Sequence, residues 1–171
     1  MIEPNRVALR AVTDDDEDML YRLAGDLDTW EQRNPASPAP LTRAEFREHR
    51  AGKPSHDDVE FVATLDGAPV GRVTLFHADH LARHAEVGIG LLPDARGKGV
   101  GTEVLRQLVE FAFVRRNLRR VHLVVVANNT PAIASYLKVG FVEEGRRREH
   151  CWVRGQYEDE VLMGLLRSEW R

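Results

Sequence analysis

The chain has 171 residues, 43% of them apolar and 30% charged, with a formal net charge of −3. That is enough for a single domain, residues 1–171, with a sizeable core, and the balance of charge argues against a nucleic-acid partner or an anionic membrane surface. Cys151 is the single cysteine, which excludes an intrachain disulfide and fits a reducing compartment; no apolar run has signal-peptide or membrane-span length, so the expected location is cytoplasmic.

The first element is "VALRAV", residues 7–12, which reads as a short strand. Thr13 stands as an N-cap before "DDDEDMLYRLAGDL", where the carboxylates at 14–18 complement a helix dipole. Met19, Leu20, Leu23 and Leu27 give that helix an apolar stripe. Gly25 and "NPASPAP" mark a long loop, and Thr42-x-x-Glu45 has the capping-box pattern of a second helix running through His49. "EFVATL" and "PVGRVTLF" flank Asp66-Gly67, a hairpin signal. "HAEVGIGLL" is a third strand of this β-rich middle, ending at Pro93. "TEVLRQLVEFAFVRRN" places Val104, Leu105, Leu108, Val109, Ala112 and Phe113 on one helical face. "RRVHLVVVA" is a nearly continuous apolar run, which reads as a buried central strand and fits a parallel pairing. "NNTPAIASYLKVG" is a short helix capped by Thr130, with Pro131 at its first position and Gly140 at its end. "FVEEGRRREHCWV" and "EDEVLMGLL" are strands joined across "RGQY". The order predicts one α+β domain with a β-α-β crossover around residues 95–101.

That crossover opens with "ARGKGVGTEVL". Gly97, Gly99 and Gly101 permit positive φ and close backbone approach. Successive amides at a helix start form an anion cradle, to which Arg96 or Lys98 can add charge. Two phosphate motifs fail on spacing. A P-loop needs glycine where Leu92 stands, and a dinucleotide fingerprint needs glycine where Thr102 stands. A tight strand-to-helix turn with no ligand is the bland alternative.

The loop does resemble the Gln/Arg-x-x-Gly-x-Gly/Ala signature of the GCN5-related N-acetyltransferases. "AEVGIGLLPDARGKGVGTEVLRQLVEFAF" is similar to that family's central strand, pyrophosphate loop and helix. "LVVVANNTPAIASYLKVGFVEEG" is similar to its next strand and helix, and the tail to the closing hairpin of the ribosomal-protein N-terminal and spermidine acetyltransferases. The resemblance implies an acyl-CoA N-acyltransferase fold, a mixed twisted sheet with helices on both faces. The strands before and after the main helix would splay to admit the cofactor. It implies acetyl-CoA as donor and an amine as acceptor: a protein N-terminus, a polyamine or another small amine. The pyrophosphate would lie on the amides of Arg96, Gly97, Lys98, Gly99, Val100 and Gly101, with Thr102 at the helix start. Ile89, Gly90 and Leu91 would run beside the pantetheine, one N–H polarising the thioester carbonyl. Asn129 matches the family asparagine near the cofactor arm, and Tyr136 the tyrosine that protonates the departing thiolate. Glu86 would be the base, directly or through water. A homodimer through the C-terminal strands is a further expectation from resemblance. A CoA-binding sensor without turnover is the alternative function.

Each side chain has a plainer reading. Tyr136 also suits a core aromatic with a wet hydroxyl, and Glu86 a solvated charge at a strand start. His77, His80 and His84 span a strand end, a turn and the next strand with no cysteine nearby, so no metal site is expected; one of them could shuttle a proton. The acidic run at 14–18 could attract a cationic amine, although the helix start explains it. Arg146, Arg147 and Arg148 lie on a strand, where alternate side chains face opposite sides, so they form no single basic stripe. Trp30, Gln32 and Asn34 lie in the long loop that borders the acceptor pocket by resemblance.

Overall fold

The computed structural model describes residues 6–27, 39–52 and 57–171. Trp30, Gln32 and Asn34 lie outside the described residues. Seven strands form one sheet: β1 (Val7–Ala11), β2 (Val59–Leu65), β3 (Ala68–Asp79), β4 (His84–Leu91), β5 (Arg120–Val126), β6 (Val142–Val153) and β7 (Gln156–Leu166). Their order is β1-β2-β3-β4-β5-β7-β6. β4 and β5 are parallel and every other neighbour pair is antiparallel. Among the described residues there are four α-helices: α1 (Glu17–Gly25), α2 (Arg43–Ala51), α3 (Val100–Glu110) and α4 (Thr130–Val139). The sheet is mixed, and the parallel pairing of the "RRVHLVVVA" strand is as expected.

Period-two alternation divides the sheet into two faces. Ala63, Val73, Leu75, Ala85, Val87, Val121, Leu123, Val161, Met163 and Leu165 point to one face, where Val104, Leu105, Leu108 and Val109 of α3 fill the main core. Val62 points to the other face, against Met19 and Leu20 of α1 and Phe46 of α2. Helices therefore cover both faces, but α1 and α2 lie over the β1–β3 side. The middle of that second face carries polar side chains.

Local chemistry sets the element ends. Asp66 and Gly67 have φ of 51° and 82°, the two positive values that a two-residue hairpin turn requires. Arg154 and Gly155, at 48° and 86°, close the last hairpin in the same way, so β7 begins at Gln156 rather than at Glu158. Thr42 and Glu45 form the expected capping box: the Glu45 amide donates to Thr42 Oγ1 at 3.2 Å and the Thr42 amide to Glu45 Oε2 at 2.8 Å.

Four expectations need correction. Thr13 precedes a 3-10 turn, Asp14–Asp16, and the α-helix starts only at Glu17. Leu27 lies beyond the end of that helix and is 49% exposed, so it leaves the apolar stripe. The main helix begins at Val100, and its tail, Phe111–Arg115, widens into a π turn. That turn sets Phe111 edge-on to Phe61 at 5.0 Å and Phe113 against Trp170 at 5.7 Å. Asn129, not Thr130, caps α4: its Oδ1 accepts from the Ala132 amide at 3.3 Å.

Candidate active site

The parallel ladder between β4 and β5 is short. His84, Ala85 and Glu86 pair with Arg120, Val121 and His122, and there the pairing stops. β4 continues along β3 as far as Leu91, and β5 continues along β7 as far as Val126. The facing edges, 87–91 and 123–126, diverge into a fork. Backbone N–H and C=O groups on such edges demand partners. An extended ligand carrying amides meets that demand as a third strand would. Ile89, Gly90 and Leu91 lie along this open stretch. Both strands run in the same direction into helices, α3 and α4, whose positive N-termini flank the opening. Open α/β sheets bind ligands beyond the carboxyl ends of parallel strands for this reason.

The glycine loop shapes one side of the fork. Gly97 and Gly99 have φ of 71° and 83°, values that side chains resist. Gly101 does not need that freedom; it lies in the first turn of α3 with an added Cβ 3.5 Å from Leu91 Cδ1. The Arg96 amide is spent on the Pro93 carbonyl at 3.1 Å, so the donors of the cradle begin at Gly97 and not at Arg96. Its guanidinium is also committed: Nε donates to the Leu91 carbonyl at 2.9 Å and the far nitrogen pairs with Asp26 at 2.7 Å. Arg96 thus ties the loop to the end of β4 and to the segment after α1. Gly97, Lys98, Gly99, Val100 and Gly101 present the cradle, and Thr102, buried, closes it. First-turn amides of a helix have no intrahelical acceptor, so they are free to serve an anion.

On the polar face of the sheet, Glu86 sits on the last rung of the parallel ladder, opposite His122. Its side chain is 20% exposed, and Oε2 lies 3.3 Å from His77 Nδ1. His77 reaches it from a bulge in β3, where the register shifts between Phe76 and Asp79 and φ at His77 is 51°. Bulges re-aim side chains in this way. Two residues along, Gly88 is dictated by close approach, since a Cβ there would lie 2.6 Å from Thr74 Oγ1. His122 Nε2 is 3.4 Å from His84 Nδ1. Burial holds the His122 pKa below its ordinary 6.5; Glu86 and Glu144 oppose that shift, and Arg120 and His84 add to it. Arg120 and Glu144 form a salt bridge beside it. His122 carried no flag in the sequence. The available signal was its phase: with Arg120 it occupies the outward positions of an otherwise apolar strand.

Across the fork, Asn129 stands at the junction of β5 with α4, and Tyr136 lies in the second turn of that helix. Tyr136 is only 7% exposed and its ring packs on Phe141 at 5.9 Å. The other singled-out groups have separate partners. His80 pairs with Asp57 at 2.7 Å, so His77, His80 and His84 do not converge on one point. Asp16 is held by Arg10, while Glu17 and Asp18 pair with Arg47 and Arg43, which commits much of the acidic run. Arg146 pairs with Glu143 and Arg147 with Glu160.

The fold is that of an α+β protein whose parallel fork and glycine cradle offer strand edges and helix-start amides to an extended, phosphate-bearing ligand. Comparison with known proteins makes this specific. The model of the acetyltransferase (GNAT) domain matches residues 6–142, and the chain belongs to that family, with its acyl-CoA N-acyltransferase fold. The spermidine N(1)-acetyltransferase of Escherichia coli (strain K12) is 32% identical over 117 residues, 67% of this chain and 63% of that protein. The chain thus matches less than two thirds of that relative's length. The L-amino acid N-acetyltransferase AaaT of the same strain is 30% identical over 110 residues, 63% of this chain and 68% of that protein. A spermidine N-acetyltransferase from Vibrio cholerae, solved in complex with CoA and spermine, superposes with a TM-score of 0.87 at 25% identity, over 96% of this chain and 98% of that one. Among the described residues, no helix is long and apolar enough to cross a membrane.

Proposed function

We propose that the chain, acting as one catalytic unit, transfers the acetyl group of acetyl-CoA to a primary amine by direct attack. The observation that carries this reading is the fork between β4 and β5 with the cradle at 97–102. It offers strand-like partners to the amides of a pantetheine arm and helix-start amides to its pyrophosphate. The named activities of the relatives, on spermidine and on L-amino acids, support it.

The chemistry assigns the roles. The amine nitrogen attacks the thioester carbon, a C–N bond forms and the C–S bond breaks. An ammonium cannot attack, so its proton passes to Glu86 directly or through an ordered water. A backbone N–H on the 89–91 edge stabilises the tetrahedral oxyanion. Tyr136 gives its proton to the departing thiolate, and Asn129 supports the cofactor arm at the head of α4. The acceptor is a polyamine, another small amine or a protein N-terminus. A homodimer formed through the C-terminal strands belongs to the same reading and is checked by light scattering in solution. Free CoA release, followed with DTNB across spermidine, amino acids, amino sugars and an N-terminal peptide, tests the activity. Turnover on at least one amine is expected. CoA binding without turnover on any of them supports the sensor instead, and absence of CoA binding removes both.

A further inference from the structure

We propose that His122 and His84 form the outlet for the amine proton collected at Glu86, a relay along the polar face of the sheet to solvent; this rests on the acetyl-transfer reading above. Glu86 and His122 are partners on the last rung of the β4–β5 ladder, where the fork opens. His84 stands two residues before Glu86 on the same face of β4. The two imidazoles are tilted at 59° to each other, with Nε2 of His122 3.4 Å from Nδ1 of His84 and the ring centroids 5.1 Å apart. A neutral imidazole has one donor and one acceptor nitrogen, so it takes a proton on one side and releases one on the other.

The surroundings keep His122 in that form. Burial disfavours its cation, and Arg120 and His84 add to this; Glu86 and Glu144 act in the other direction. Arg120 is locked onto Glu144. From β7 the residue opposite His122 is Gly164, which brings no charge. From β3, His77 faces Glu86 rather than His122. The proton balance is simple. The ammonium gives one proton to the Glu86 carboxylate, and Glu86 passes it across water to His122, its partner on the last rung of the ladder. His122 releases a proton to His84, which returns it to bulk water, and nothing is oxidised or reduced. His77 is a second neighbour of Glu86, but its side chain is 75% exposed and meets the carboxylate by one 3.3 Å contact. The half-buried pair is the better-held route.

The test is the pH dependence of kcat/KM for acetyl-CoA and the amine that the wild-type chain turns over fastest. In the wild type, the acid limb is expected to bend below pH 6.5. His122→Gln is expected to lose that bend and about tenfold or more of kcat/KM at pH 7, while CoA still raises the melting temperature. His84→Gln removes the outlet and is expected to lower kcat/KM at pH 7 several-fold as well. An unchanged bend in His122→Gln overturns the relay, as does a bend that disappears with His77→Gln instead. Should His122→Gln fail to fold, His84→Gln decides: an undiminished kcat/KM at pH 7 overturns the relay. A wild-type chain that binds CoA and acetylates no amine overturns the transferase reading and the relay with it. A working wild type with unaltered variants overturns the relay alone.

Discussion

Asp16 is the buried carboxylate of the run at 14–18. Within an acidic run it reads as one more dipole-complementing carboxylate. In the fold it is 1% exposed and accepts from both terminal nitrogens of Arg10 at 2.7 Å, and from the Thr13 amide at 2.8 Å. The bond to Arg10 outweighs burial and holds its pKa far below the ordinary carboxylate range. Asp16→Asn keeps the shape but loses the charge-assisted bonds. Because Arg10 remains partly hydrated, the expected cost is about 2 kcal/mol, a fall in Tm of roughly 6 °C by calorimetry. Tyr136 makes the opposite kind of prediction. Its ring serves the core in any case, so Tyr136→Phe should leave CoA affinity nearly unchanged. Loss of a general acid should lower kcat by roughly 10²-fold, measured as initial CoA release.

At the scale of elements, the fork depends on where pairing stops, and the glycine loop on two backbone angles. Ala at Gly99, with φ of 83°, would cost about 1–2 kcal/mol in the left-handed region. If the loop relaxes away from the cradle, CoA affinity falls about tenfold; calorimetric titration of Gly99→Ala against wild type checks this. Gly101→Ala, in ordinary helical backbone, is expected to change it far less. The sequence made much of this legible. The hairpin at Asp66-Gly67, the capping box at Thr42 and the apolar stripe of α3 follow from local rules that act within a few residues. The fork was not readable from local rules, because the end of a ladder is decided between strands far apart in the chain; only resemblance suggested it. The Arg96 bonds, the His77 bulge and the His84–His122 contact are likewise long-range. The π turn at Phe111–Arg115 escaped because apolar periodicity does not distinguish it from an α-helix.

On the scale of the whole molecule, charge is organised as pairs rather than as a field. Asp16, Glu17, Asp66, Glu143 and Glu144 each hold an arginine and titrate below their ordinary range, the bond to that arginine being the main cause. Glu60 does so against its own burial, through Arg50 and Arg72. A carboxylate whose folded pKa is depressed contributes stability above its unfolded pKa and loses it as pH falls. His122 has the same sign for a different reason: burial keeps it neutral, so the folded state binds its proton more weakly than the unfolded state does. Stability is therefore expected to be flat from pH 8 to about 7, to decline gently below about 6.5 through His122, and to fall steeply below about 4.5 as the carboxylates protonate. Tm measured across that range checks the two steps, and His122→Gln should remove the first.

The central claim is that the fork between β4 and β5 holds acetyl-CoA with its thioester beside Glu86 and Tyr136. A crystal structure with bound CoA tests it most directly. The pyrophosphate is expected on the amides of residues 97–102, the pantetheine arm between 87–91 and 123–126, and the sulfur within hydrogen-bond reach of the Tyr136 hydroxyl. CoA seated elsewhere, or a fork closed by β4–β5 pairing carried on to Leu91, would contradict it.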